Sequence, residues 1–170
     1  FPMEIIENVS VKCGDDFPIA FRISADEFVP GGRTIEDTRA IAPILEQAGI
    51  ALLDVSVGVY GSMDRIIAPA AVGHGWTVEL AAAVKEVVSI PVMTTGRVND
   101  PLLAESILKA GKADFVGMGR ASIADPHLPA KTRTGRYDEI VQCIGCLQGC
   151  IGGILSGGQM GCVVNPCIGK

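Results

Sequence analysis

Cysteine stands at positions 143, 146, 150 and 162, with three thiols inside eight residues and the fourth twelve positions after the third. A C-x₂-C-x₃-C group with one remote partner is a ligand pattern. Zinc sites usually present two separated pairs of ligands. A close triplet plus a distant thiolate is nearer to iron–sulfur ligation, although the ferredoxin runs differ in detail. Glycines at 145, 149, 152 and 153 let the backbone close tightly around a cluster and aim N–H groups at its sulfurs. On spacing alone, zinc and unligated thiols remain alternatives, and Cys167 competes with Cys162 as the fourth ligand. Cys13 is remote and reads as a buried or idle thiol.

Further chemistry sits where short apolar runs end. Arg22 lies inside FPIAFRIS, where a guanidinium is costly unless something electron-rich meets it. VSVGVYGSMDR offers Tyr60 and Asp64 on a glycine-bracketed loop, with Tyr60 as a candidate proton donor. TTGRVNDP and GMGRASIADP both read as strand, Gly-Arg, short loop, Asp-Pro. Gly96 and Gly119 would free backbone N–H groups to approach a phosphate, and Arg97 and Arg120 would each add a fixed cationic fork. His74 and His127 sit in glycine- and proline-bracketed loops and read as surface or hydrogen-bonding residues.

The elements that must position these residues alternate. Strands are expected at 17–24, 51–57, 90–95 and 113–119, with helices at 34–49, 76–88 and 100–111 between them. Thr34 and Asp100 are the N-caps, Pro101 opens its helix, and Gly49 and Gly111 mark the stops. Residues 3–12 end an earlier helix, and DEIVQC is a short helix leading into the cysteines. Near-continuous apolar strands separated by helices indicate a parallel sheet, either doubly wound or part of a (β/α)₈ barrel. Four such units in 170 residues fall well short of the roughly 250 residues of a whole barrel.

Composition narrows the partners. With 14 basic and 19 acidic residues the chain builds no basic stripe, so nucleic acid is not an expected partner. No apolar run has spanning length, and a membrane is not expected either. Six cysteines without a secretion signal favour a reducing, cytoplasmic setting. The start at Phe1-Pro2 and a mean hydropathy of +0.38 suggest a piece of something larger, with apolar surface meant for a neighbour.

FPIAFRISADEF, TTGRVNDP, DFVGMGRASIADP and above all CIGCLQGC...GCVVNPCIGK resemble the iron–sulfur branch of the Old Yellow Enzyme family. That branch contains 2,4-dienoyl-CoA reductase, enoate reductases and trimethylamine dehydrogenase. The resemblance covers nearly the whole chain. It implies an α/β fold: the C-terminal half of an FMN-binding (β/α)₈ TIM barrel, strands five to eight, over residues 1–137, followed by a [4Fe–4S] segment over 138–170. Arg22 would face the flavin's pyrimidine edge, Gly96, Arg97, Gly119 and Arg120 would hold the FMN phosphate, and Cys143, Cys146, Cys150 and Cys162 would ligate the cluster. FAD and NAD(P)H would belong to a domain outside this chain. The implied reaction reduces an activated C=C bond of a small molecule, with electrons passing from NAD(P)H through FAD and the cluster to FMN. Amine dehydrogenation, or a non-catalytic half barrel with a zinc or empty cysteine site, are the alternatives. Where dienoyl-CoA reductase carries a histidine after strand six, this chain has Tyr60. An isolated half barrel, with two open sheet edges, is expected to self-associate.

Overall fold

The computed structural model describes residues 1–14 and 16–168, so the end of the expected 138–170 segment lies outside the described residues. Helix α1 (Pro2–Cys13) leads to β1 (Ala20–Ser24), α2 (Ile35–Gln47) and β2 (Leu52–Ser56). A short helix α3 (Met63–Ile66) precedes α4 (Val78–Lys85), β3 (Val92–Thr94), α5 (Pro101–Lys109) and β4 (Phe115–Val116). Two further short helices, α6 (Gly119–Ala124) and α7 (Leu128–Arg133), follow, and α8 (Gly153–Leu155) lies within the cysteine region. No helix among the described residues is long and apolar enough to cross a membrane.

Local chemistry sets the boundaries. Thr34 caps α2 reciprocally: its hydroxyl accepts from the Asp37 amide while the Asp37 carboxylate accepts from the Thr34 amide at 2.8 Å. The Asp100 side chain accepts from the Leu102 amide at 2.8 Å and so opens α5. DEIVQC does not form the expected helix. Only a single 3₁₀ turn, Tyr137–Glu139, is present, because tertiary partners take the backbone groups beyond it. The Val141 amide donates to Asp125 at 3.0 Å, and the Glu139 carbonyl accepts from Lys131 at 2.8 Å.

The four strands form one parallel sheet in the order β1-β2-β3-β4. Its faces differ, because strand residues alternate. Ile23, Leu53, Val55 and Val92 point into a core shared with Ala42 and Leu45 of α2, Ala81 and Val84 of α4, and Ile6 of α1. Leu53, Val55, Val84 and Val92 are wholly buried there. The alternate residues Arg22, Asp54, Ser56, Met93 and Thr95 instead line a cavity on the opposite face. Doubly wound sheets carry helices on both faces. Here the helix-packed face and the cavity face are distinct, as in part of a (β/α)₈ barrel. A second core cluster of Val78, Val98, Ile107 and Ala113 closes the β4 end. Across the helix layer, the Glu46 carboxylate accepts from the Ser89 and Ile90 amides at 3.0 and 3.1 Å, and Asp114 accepts from the Val92 amide at 2.9 Å.

Candidate functional site

The cavity holds about 400 Å³ and lies at the carboxyl ends of the strands, where parallel α/β sheets place their ligands. Among the described residues, four guanidinium groups line it, those of Arg22, Arg65, Arg97 and Arg120, against a single carboxylate, Asp54. In a chain of net charge −5 that is a pronounced local excess of positive charge, suited to an anionic ligand.

Two turns aim the arginines. Gly96 has φ +97° and Arg97 has φ +59°. A Cβ on Gly96 would lie 2.3 Å from the Thr77 hydroxyl oxygen, so the turn admits only glycine there. Thr77 is itself locked, 1% exposed and donating to the Thr95 carbonyl at 2.8 Å. The Arg97 guanidinium donates to the Ala70 carbonyl at 3.0 Å and meets His74 Nε2 at 3.2 Å. Guanidinium only donates, so His74 accepts through Nε2 and carries its proton on Nδ1 when neutral. Burial, followed by the nearby charge of Arg120, lowers the Arg97 pKa, and Cys143 works in the opposite direction. Arg120 donates to the Ala68 carbonyl at 2.9 Å. Beyond its chain neighbours and the backbone of its own helix, no described atom lies within 4 Å of a would-be Cβ on Gly119, leaving that side open to a ligand.

At the rim, Phe28 and Trp76 have ring centroids 5.9 Å apart, and the Arg65 guanidinium sits 5.4 Å from the Phe28 centroid and 5.9 Å from that of Trp76. Tyr60 is 91% exposed on a 3₁₀ turn and does not line the cavity, so the structure does not bring it together with Arg22 and the Gly-Arg turns. His127 opens α7 away from the cavity.

The cysteine region folds against this site. Asn99, one turn beyond Arg97, donates through Nδ2 to the Cys143 carbonyl at 2.7 Å, and Asn165 donates to the Ile123 carbonyl at 2.8 Å. Gly145, at φ +69°, passes so near Arg97 that a Cβ would lie 3.0 Å from its Nη2. Leu147 (φ +62°) starts a wide turn over Gln148–Gly152, closed by the Gly152 amide on the Leu147 carbonyl at 2.8 Å. The Gly161 amide donates to the Gly149 carbonyl at 2.7 Å, and a Cβ on Gly149 would lie 2.8 Å from the Gly161 carbonyl carbon. This close crossing carries Cys162 back to the triplet. Cys143, Cys146, Cys150 and Cys162 line one small cavity with Ile123, Ile144, Leu147, Val163 and Val164. Cys167 and Cys13 are exposed and lie outside it. Among the described residues, no three His, Cys, Asp or Glu side chains converge tightly enough to hold one metal ion. Arg120 and Cys143 belong to both cavities, forming a common wall.

Residues 1–139 match the model of the NADH:flavin oxidoreductase / NADH oxidase family. The chain belongs to that family. Its members, the Old Yellow Enzyme relatives among them, are flavin-dependent oxidoreductases. An NADH oxidase of Thermoanaerobacter brockii is 48% identical over 171 residues, covering 100% of this chain and 26% of that protein. A 2-naphthoyl-CoA reductase solved with 2-naphthoyl-CoA superposes with a TM-score of 0.93 at 35% identity, covering 98% of this chain and 26% of that one. Histamine dehydrogenase from Rhizobium sp. 4-9 gives a TM-score of 0.86 at 30% identity, over 97% of this chain and 24% of that one. The chain therefore spans about a quarter of the length of these relatives.

Sequence reasoning singled out Arg22, both Gly-Arg turns and the four grouped thiols, which line the two cavities. It missed Asp54, Asn99 and the contact of His74 with Arg97. Asp54 had a signal: an acid in the middle of LLDVS, one strand from the arginine in the middle of AFRIS.

Proposed function

We propose that this chain supplies the phosphate side of an FMN site and the adjoining [4Fe–4S] site of a reductase acting on an activated C=C bond. The observation that carries the reading is the common wall: a polycationic cavity and a four-thiol cavity share Arg120 and Cys143. The donor sets suit the two groups. Arg97 and Arg120 with the open backbone at Gly119 fit a phosphate. Four thiols lining one apolar cavity fit a cluster, whose own bulk spaces its thiolates further apart than a single ion would.

When bound, the flavin would supply hydride transfer and the cluster single-electron transfer, with NAD(P)H and FAD held elsewhere in the full-length protein. The residues of this chain bind and orient. Arg97 and Arg120 would hold the phosphate, with the Ala70 and Ala68 carbonyls fixing their forks. Arg22, on the floor of the cavity, favours negative charge at whatever lies above it. Ile123, Ile144, Val163 and Val164 give the thiols apolar neighbours. Tyr60, exposed and outside the cavity lining, would have to approach the substrate to act as the proton donor. A planar, activated acyl substrate is the class that the 2-naphthoyl-CoA reductase likeness supports. Amine oxidation is the second reading, supported by the likeness to histamine dehydrogenase.

The test is iron, acid-labile sulfide, zinc and flavin content of protein prepared without air. About four iron and four sulfide per chain, lost in Cys150→Ala, is the expected result. Zinc without sulfide would overturn the cluster assignment. Anaerobic mixing of the reduced protein with an enoate, and of the oxidised protein with an amine, separates the two readings by which one changes the flavin spectrum.

A further inference from the structure

Arg22 and Asp54 are cross-strand partners in the β1–β2 register, and Asp54 is in turn opposite Met93 on β3. All three side chains line the cavity floor. Arg22 Nη1 lies 3.4 Å from Asp54 Oδ2, and Nη2 donates to Ser56 Oγ at 3.3 Å. The two partners differ in exposure: the Arg22 side chain is 63% exposed and that of Asp54 only 12%. The second carboxylate oxygen, Oδ1, is buried with no hydrogen-bond partner. A carboxylate is an expensive choice at such a place, and Met93 shows that an apolar residue fits the next position of the row. Burial pushes the Asp54 carboxyl up, and the positive charge of Arg22 pulls the other way. Packing alone does not explain the acid.

We propose that Asp54 is a positioning residue that pins the Arg22 guanidinium to the cavity floor and offsets its charge, thereby setting how strongly the cavity favours a ligand that gains negative charge. The identity of that ligand as a flavin rests on the function proposed above. With four arginines lining the cavity and Asp54 its single carboxylate among the described residues, this side chain opposes electron uptake electrostatically from the floor. Arg22 works in the other direction from the same spot. The pair thus fixes both the place and the net charge of the floor, and replacing either member unbalances it.

The experiment uses the full-length protein and Asp54→Asn, which keeps the side-chain volume and removes the charge. In the flavin-loaded protein, the reduced-to-oxidised ratio at a fixed potential should rise about tenfold, a midpoint shift of about +30 mV for a two-electron couple. Arg22→Gln should shift it in the opposite direction. A second readout needs no flavin. Phenylglyoxal labelling of Arg22 in flavin-free protein, mapped by mass spectrometry, should become several-fold faster in Asp54→Asn, with Arg39 unchanged as the internal reference. A flavin-loaded variant with an unmoved potential and unmoved labelling overturns the proposal. A wild-type protein that takes up no flavin overturns the functional reading instead, and the labelling ratio then decides the positioning role by itself.

Discussion

The side-chain amide of Asn99 donates to the backbone carbonyl of Cys143 at 2.7 Å, so the turn that aims Arg97 also holds the first cysteine. Asn99 is 6% exposed, and a buried carbonyl that loses its donor is destabilised by about 1–3 kcal/mol. Asn99→Ala should therefore loosen residues 141–150 without unfolding the sheet. Hydrogen exchange there should accelerate by one to two orders of magnitude while the β2 amides stay protected. Uniform protection across the chain would show that the contact carries no stability.

Asp125 makes the second tie. It is 3% exposed and accepts from Lys131 Nζ at 2.6 Å and from the His127 and Val141 amides at 3.0 Å. Burial pushes its pKa up, but the hydrogen bonds from Lys131, Val141 and His127 together outweigh it, and the carboxyl titrates below its ordinary value. A depressed carboxyl contributes stability that is present above the unfolded pKa and lost as pH falls through the folded one. Asp125→Asn should cost about 1–3 kcal/mol at neutral pH. The gap to wild type should narrow as pH drops below about 4. Thermal melts of both proteins from pH 7 to pH 3 measure this, and a gap independent of pH would contradict it.

Gly96 and Gly119 separate folding from binding. Gly96→Ala forces a Cβ against Thr77 at φ +97°, and strain of this kind costs on the order of 1–3 kcal/mol. Gly119→Ala meets no described atom within 4 Å beyond its chain neighbours and its own helix backbone. The first variant should melt several degrees lower. The second should keep its melting temperature but bind FMN at least tenfold more weakly, as isothermal titration would report. Unaltered FMN affinity in Gly119→Ala would remove that glycine from the phosphate site.

The sheet has two open edges among the described residues, β1 and β4, and Phe115 on β4 is 51% exposed. Unpaired strand edges are templates for pairing. Residues 1–170 expressed alone should therefore self-associate, and light scattering that returned a monomer of 17.7 kDa at micromolar concentration would refute this.

Capping chemistry made much of the fold legible. Thr34 with Asp37, Asp100 with Pro101, and the left-handed glycines Gly49 and Gly111 bound helices close to where their residue types demand. Two expectations differ from the structure, each for its own reason. Residues 138–143 read as helical because the local pattern cannot reveal that Asp125 and Lys131, distant in sequence, claim the Val141 amide and the Glu139 carbonyl. Expected strand 113–119 shortens to Phe115–Val116 because Gly119 already begins α6. The site divides in the same way. Thiol spacing and the Gly-Arg turns are local signals, and they were visible. Asp54 and Asn99 acquire meaning only from partners on another strand or loop.

The order β1-β2-β3-β4 has a temporal meaning as well as a spatial one. Every strand pairs with the strand that precedes it by one helical crossover, so no pairing must wait for a distant stretch of chain. Emerging from the ribosome at about 5–20 residues per second, the polypeptide can dock each unit on the last before the next appears. The cysteine region comes after all of them, and its anchors Asn99 and Asp125 are by then in place. The thiols thus follow their own anchors in the order of synthesis.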